Sequence, residues 1–152
     1  MKRPAPYIHT RTTLLALAWL ALSACTSVPT TQLAGVRVVA EVGANQNTGT
    51  ALDIVFVYDT DANKKMPQTG PEWFAQKNAI KNGAGNKIDI ISLEPTPHNI
   101  VDVVLPSRAS KAIGVYSYAN YINPNGQSLG NLTPFKTMTI WLTPTTIVYV
   151  GN

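Results

Sequence analysis

A single cysteine, Cys25, lies directly after an apolar leader, and its position decides where the fold can begin. The leader opens with Lys2 and Arg3, and its apolar run covers residues 14–22, which is too short to span a bilayer as a helix. A basic start followed by a short apolar run is typical of a secretory signal peptide. We therefore expect export to remove residues 1–24. Because Cys25 is the only cysteine, no disulfide can form within the chain.

The residues Leu22, Ser23, Ala24 and Cys25 form a lipobox, in which small side chains precede a cysteine. In a lipobox the thiol is diacylated, and a signal peptidase then cuts before the cysteine. The alternative is an ordinary signal peptide with an incidental cysteine, but the apolar run, the small residues and the cysteine coincide. We predict diacylglycerol and N-acyl lipid on Cys25 and no other cofactor. Two or more acyl chains hold a protein firmly on a membrane, where one chain binds only marginally.

Loss of the leader changes the charge of the chain. The full sequence has 12 Lys and Arg against 8 Asp and Glu, and Lys2, Arg3 and Arg11 leave with the leader. Nine basic residues then stand against eight acidic ones. A chain this close to neutral offers no charge imbalance that would attract nucleic acid, so we expect no nucleic-acid partner.

Two regions follow the leader. Residues 25–34 are polar and aperiodic and include Pro29, which is typical of a flexible tether. Residues 35–152 are enough for one domain. Within that domain, residues 36–42 alternate between apolar and other side chains, which predicts a strand with one buried face.

Seven strands and one helix are predicted in this domain. Residues 51–58 are apolar at nearly every position, which indicates a central strand covered on both faces. Thr69 is a predicted N-cap, and the helix should carry Trp73 and end at Asn82-Gly83, plugging one opening of the fold. The other five strands are rich in Val, Ile, Thr, Tyr or Trp: 87–93, 100–105, 112–121, 137–142 and 146–150. This pattern predicts an all-β fold of two antiparallel sheets packed face to face, with one short helix.

Catalytic and metal sites receive little support. His98 is the only histidine after the leader, and no Gly-x-Ser-x-Gly turn accompanies it. We expect no enzyme, although a hydrolase using His98 remains an alternative. Asp59, Asp61 and Asn63 match the first half of a calcium loop, but Lys64 occupies the position where glycine is wanted. We interpret this segment as a solvated turn and expect no metal.

Tyr116 and Tyr118 lie two apart in a predicted strand and therefore share a face. Such a pair could form a platform for a sugar or a protein, or it could be buried with the hydroxyls reaching polar groups. The platform would make the chain an envelope ligand-binding or inhibitor lipoprotein. That class is the alternative to a purely structural role.

The order of these features resembles the TssJ (SciN) family of type VI secretion outer-membrane lipoproteins. The resemblance runs from the lipobox through an Asn-rich turn and a strand ending in Val57-Tyr58 to the Pro71-Glu72-Trp73-Phe74 helix start. It continues in Val103-Val104-Leu105-Pro106 and Ala112-Ile113-Gly114-Val115-Tyr116, and a last apolar strand ends it. The chain departs from the family at Tyr58-Asp59-Thr60 and at Pro95-Thr96-Pro97-His98.

The resemblance implies a transthyretin-like β-sandwich that is lipid-anchored in the inner leaflet of the outer membrane and faces the periplasm. It also implies binding to the periplasmic domain of the inner-membrane TssM component, with no small-molecule substrate. The family's partner-binding loop maps onto Ala44, Asn45, Gln46, Asn47, Thr48 and Gly49, which by themselves also fit an ordinary polar turn. Thr26, rather than an aspartate, follows the cysteine, and this favours the outer membrane.

Overall fold

A computed structural model describes residues 28–124 and 129–152 of the chain. The predicted signal peptide, Cys25 and Thr26 lie outside the described residues. The described chain forms the two-sheet β-sandwich that the sequence predicts, with four strands in each sheet. Within the described ranges, no helix is both long enough and apolar enough to cross a bilayer.

The strands and helices follow one another in short segments. The strands are β1 (Gly35–Ala40), β2 (Ala51–Val57), β3 (Ile88–Leu93), β4 (Asn99–Asp102), β5 (Gly114–Asn120), β6 (Gly130–Asn131), β7 (Thr137–Leu142) and β8 (Ile147–Gly151). The helices are α1 (Ala44–Asn47), α2 (Thr60–Lys64) and α3 (Gly70–Ala84), and 3₁₀ turns cover Gly85–Lys87 and Ala109–Lys111.

Sheet 1 has the strand order β4-β1-β7-β8, and sheet 2 has the order β3-β2-β5-β6. All neighbours are antiparallel except β1 and β7, which run parallel with Val38 opposite Ile140. The expectation of two wholly antiparallel sheets is therefore corrected at this one pair. β6 is a further strand beyond the seven predicted. It was not predicted because a segment of two residues cannot show a periodic pattern.

β2 is covered on both faces, as its continuous apolar sequence predicts. Leu52, Ile54 and Phe56 point into the core between the sheets. Val55 and Val57 point to the opposite face, into a second apolar cluster. All five side chains are fully buried.

Helix α3 covers the outer face of sheet 2. The Trp73 ring stacks on the Tyr118 ring with centroids 4.8 Å apart and planes 8° from parallel. Its indole N–H donates to Asp53 Oδ2 over 2.7 Å, and Lys77 Nζ lies 2.8 Å from the same oxygen. The prediction that the helix plugs an opening is wrong. The helix lies here because Val55 and Val57 of β2 would otherwise be exposed.

The start of α3 follows its sequence signals. Thr69 is the N-cap, and its hydroxyl accepts a hydrogen bond from the Glu72 N–H over 3.3 Å. The Glu72 carboxylate accepts one from the Gln68 N–H over 3.1 Å. The helix ends at Ala84, two residues beyond the predicted Asn82, and Gly85 follows with a φ of 54°. That left-handed value suits glycine.

Candidate partner-binding end

The sandwich has two ends that differ in what they present. At one end the chain enters β1, where the Thr31 N–H donates to the Ala112 carbonyl and the Ala34 N–H donates to the Lys136 carbonyl. We call this the tether end. At the other end lie residues 41–50, 94–98, 121–124 and 143–146, which we call the turn end. The predicted partner-binding residues 44–49 lie at the turn end.

The turn of α1 has an unusual backbone. Asn45, Gln46 and Asn47 have φ values of 47°, 57° and 65°, after Gly43 at 79°. Positive φ is uncommon for residues other than glycine and is best tolerated by Asn and Asp. A run of three such residues persists only when the surrounding structure holds it in place.

The Asn45 side chain holds this turn against a neighbouring loop. It is buried, with 2% of its surface exposed. Its carbonyl oxygen accepts the Ile122 N–H over 2.8 Å, and its amide group donates to the Gly49 carbonyl over 3.3 Å and the Asn120 carbonyl over 3.4 Å. The amide therefore satisfies one backbone group in its own turn and two at and just beyond the end of β5.

The backbone of the turn is bonded to the loop that joins β7 to β8. The Asn45 N–H donates to the Thr143 carbonyl over 3.0 Å, and the Gln46 N–H donates to the Pro144 carbonyl over 3.1 Å. The Tyr121 hydroxyl donates to the same Thr143 carbonyl over 3.2 Å. Three loops are thus joined into one preorganised surface, and preorganisation lowers the ordering cost of binding.

Burial divides the six predicted partner-binding residues. Gln46, Asn47 and Thr48 are exposed, whereas Ala44 and Asn45 are buried and Gly49 is half-buried. Ala44 and Asn45 have at most 2% of their surface exposed and position the exposed residues of the turn. The partner-binding role of all six residues stays a prediction.

Two apolar side chains at the turn end were missed by sequence reasoning. Val42 is 76% exposed just before the turn, and Ile122 is 55% exposed on the loop that Asn45 fastens. The strand predicted over residues 36–42 includes Val42, but β1 ends at Ala40 and leaves Val42 outside it. For Ile122 the available signal was an isolated aliphatic residue within a polar loop. Ile122 lines a groove together with Thr48 and Glu94. Apolar side chains amid polar groups are the composition expected of a protein-binding surface.

His98 also lies at the turn end, but its surroundings do not resemble a catalytic site. The residue is exposed at a φ of 62°, and its N–H donates to the Glu41 carbonyl over 3.2 Å. Within residues 28–124 and 129–152, no hydrogen bond joins the His98 ring to a serine or an acid. A triad needs that contact.

The half calcium loop forms a helix start. Asp59 is the N-cap of α2, and its Oδ1 accepts the Ala62 N–H over 3.0 Å and lies 3.3 Å from Lys87 Nζ. The bond from Ala62 is the main reason that the pKa of Asp59 is lowered. The solvated turn that the sequence predicted is thus a single helical turn. In the described part of the chain, no three His, Cys, Asp or Glu side chains are grouped as a metal site would require.

Of the two arrangements that the sequence allowed for Tyr116 and Tyr118, the structure has the buried one and not the platform. Tyr118 is fully buried beneath Trp73, and its hydroxyl donates to the Pro67 carbonyl over 2.9 Å. Burial raises the pKa of Tyr118. Tyr116 is half-buried and donates to Asn63 Oδ1 over 3.0 Å. The two rings share a face as predicted, but helix α3 covers that face, which leaves no surface for a ligand.

The elements above define a class of protein: a two-sheet β-sandwich with a helix on one outer face and a fastened turn at one end. Lip from Serratia marcescens, described as a membrane-bound component of the type VI secretion system, has this fold. The likeness covers 82% of this chain and 99% of Lip at 14% identity, with a TM-score of 0.53. The type VI lipoprotein TssJ1 from Pseudomonas aeruginosa matches over 78% of this chain and 94% of its own, also at 14% identity and a TM-score of 0.53.

The likeness is visible in structure and not in sequence. No protein-family model matches the chain, and no curated protein matches it significantly. At these identities the comparison establishes a shared fold, which is the sandwich that the resemblance to the TssJ family implied.

Proposed function

We propose that this chain is a lipid-anchored structural component of a type VI secretion membrane complex. Acyl chains on Cys25 would hold it in the inner leaflet of the outer membrane, facing the periplasm. The turn end would bind the periplasmic domain of a TssM-like inner-membrane protein. The protein would act mechanically and not as an enzyme.

One observation carries this proposal: the sandwich of two solved type VI lipoproteins occurs here directly after a lipobox. The fold alone would fit many functions. The lipobox alone would fit any lipoprotein. Together they support a sandwich tethered to a membrane; Lip is described as membrane bound and TssJ1 as a lipoprotein.

The turn end supports the choice of binding surface. Its exposed side chains Gln46, Asn47 and Thr48 belong to a turn whose backbone and Asn45 side chain bond to two neighbouring loops, and Val42 and Ile122 add exposed apolar area at the same end. The alternative of a ligand-binding lipoprotein loses its support, because its proposed site around Tyr118 is filled by Trp73.

The anchoring part of the proposal is tested by a Cys25→Ser variant in the source organism. We expect the variant to leave the membrane fraction and to abolish type VI secretion while keeping the melting temperature of the purified domain. A variant that stays with membranes and supports secretion would contradict the proposal.

The partner is tested by co-purification from membranes that carry the native lipoprotein. We expect a TssM-like protein to be recovered in stoichiometric amount. The controls are membranes from a strain that lacks this gene. Recovery of the lipoprotein alone after gentle solubilisation, with secretion otherwise active, would argue against the proposed complex.

A further inference from the structure

The two ends of the sandwich carry opposite charge. In the described residues of the turn end, Glu41 and Glu94 are the charged side chains apart from His98, and Lys and Arg are absent. The tether end carries six basic residues on its loops and helix ends: Lys64, Lys65, Lys87, Arg108, Lys111 and Lys136. The near-neutral total thus hides a division of charge along the strand direction.

Some of these basic residues are neutralised by close carboxylates. Arg108 lies 2.7 Å from Asp89 and over the Tyr58 ring, and Lys87 lies 3.3 Å from Asp59. Lys64 lies 3.6 Å from Asp61. Among the described residues, Lys65, Lys111 and Lys136 have no ion-pair partner.

Lys111 and Lys136 flank the point where the N-terminal segment joins the sandwich. The Ala34 N–H bonds to the carbonyl of Lys136 itself, and the Thr31 N–H bonds to the carbonyl of Ala112, the residue after Lys111. Both lysine side chains are exposed. An anchor on the N-terminal segment therefore keeps the two ammonium groups close to the anchoring surface.

The length of the tether limits how far the Lys111 and Lys136 ammonium groups can move from a membrane that holds Cys25. Thr31, which is buried, lies six residue-to-residue steps after Cys25. An extended chain advances about 3.5 Å per step, so Thr31 stays within about 20 Å of Cys25. A lysine side chain covers part of that distance. Screening at physiological salt reduces charge interactions beyond about 8 Å, so the attraction acts only in orientations that bring this end down to the surface.

We propose that the Lys111 and Lys136 end of the sandwich contacts anionic phospholipid headgroups and orients the domain upright on the membrane. The inference rests on the proposed lipid anchor at Cys25. Each lysine near an anionic surface favours the contact about five-fold. In an inverted orientation Glu41 and Glu94 would lie at the same surface and would be repelled by it. The exposed turn residues Gln46–Thr48 then project away from the lipid, at the far end of β1 and β2.

The test uses residues 25–152, which contain the whole described fold, coupled through the Cys25 thiol to maleimide lipid in vesicles. One set of vesicles is phosphatidylcholine, and the other contains added phosphatidylglycerol. Acetylation rates of individual lysines are read by mass spectrometry. The rate of each lysine on phosphatidylcholine vesicles is the reference for its rate on phosphatidylglycerol vesicles.

We expect Lys111 and Lys136 to react at least about five-fold more slowly on phosphatidylglycerol vesicles than on the reference vesicles, and high salt to remove the difference. Equal rates on both vesicle types would overturn the proposal. Slowing on both types alike would also overturn it, because crowding by the tether and not charge would then be the cause.

A pair of variants separates charge from fold. Lys111→Gln with Lys136→Gln should abolish the lipid-dependent protection of backbone amides 132–136 in hydrogen exchange, whereas Glu41→Gln with Glu94→Gln at the opposite end should retain it. Retained protection in the first variant would contradict the inference. Chemical coupling supplies the anchor, so these results do not depend on lipidation in the cell or on partner binding.

Discussion

The two outer faces of the sandwich differ although each belongs to a four-stranded sheet. The outer face of sheet 2 is covered by α3, and its central residues Asp53, Val55 and Tyr118 are at most 2% exposed. The outer face of sheet 1 has no such cover among the described elements. On it, Ile100 is 65% exposed and Val148 is 42% exposed.

The same contrast holds for charged groups. On the covered face, Asp53 accepts hydrogen bonds from Trp73 and Lys77 in a buried setting. On the open face, Arg37 makes a two-point contact with Asp102 at 2.7 and 3.0 Å, yet both side chains are more than half exposed. A solvated ion pair contributes little to the free energy of unfolding even when its geometry is ideal. Breaking a buried ion pair lowers that free energy much more. Burial, and not contact geometry, should therefore decide the energetics of the two faces.

The largest contrast is expected between two tryptophans. Trp73→Ala should lower the free energy of unfolding by about 3–5 kcal/mol, because it empties a fully buried site beneath α3. Trp141→Ala on the half-buried open face should cost less than about 2 kcal/mol. Urea unfolding of both variants measures the difference. Equal losses would mean that the open face is as tightly packed as the covered one.

The carboxylates provide the next contrast. Asp53→Asn should cost about 2 kcal/mol, since it removes charge-assisted bonds to Trp73 and leaves the Lys77 ammonium without its counter-ion. Asp102→Asn should leave the unfolding midpoint unchanged within error, because its partner Arg37 is solvated. A large loss for Asp102→Asn would contradict the ranking of the two faces.

The N-cap of the covering helix should have a smaller effect. Thr69→Ala should cost about 1 kcal/mol, because the Glu72 N–H loses its acceptor at the helix start. Thr69→Ser keeps a hydroxyl at the same position and serves as the matched control. The comparison is again by urea unfolding, and a loss shared by both variants would show that the methyl group and not the cap is responsible.

The smallest effect is expected in acid. The hydrogen bonds from Arg108 hold the pKa of Asp89 below its ordinary value, so the folded state prefers the carboxylate. This stabilisation is present above the ordinary Asp pKa of about 4 and is lost as the pH falls through the lower folded value. Asp89→Asn should flatten the stability profile below about pH 4. An unchanged acid profile would show that the Arg108 contact does not contribute.

The sequence patterns showed which face of a strand is buried, but they did not show which strands pair with each other. The continuous apolar run of β2 predicted cover on both sides, and combined with a single helix it could have placed α3 on that sheet. The parallel pairing of β1 with β7 could not be foreseen, because alternation shows which side chains are buried but not which strand lies alongside.

The sequence predicted that residues 44–49 form a turn, but it did not predict which of their side chains are buried. A Gly- and Asn-rich segment indicates a turn, and such turns are ordinarily exposed. Asn45 is buried because its amide bonds to residues 49, 120 and 122. Two of those partners are distant in sequence, and no local pattern announces contacts of that kind.

The most direct test of the account is the affinity of residues 25–152, with Cys25→Ser, for the periplasmic domain of the source organism's TssM-like protein. Gln46→Gly with Asn47→Gly removes two exposed side chains while glycine accepts the positive φ. Gln76→Ala with Asn78→Ala changes the same residue types on the exposed surface of α3. If the turn end binds the partner, calorimetry should find binding weakened at least about ten-fold, or 1.4 kcal/mol, by the first pair of substitutions and unchanged by the second. No binding by the parent protein, or equal binding by both variants, would contradict partner binding by the turn end.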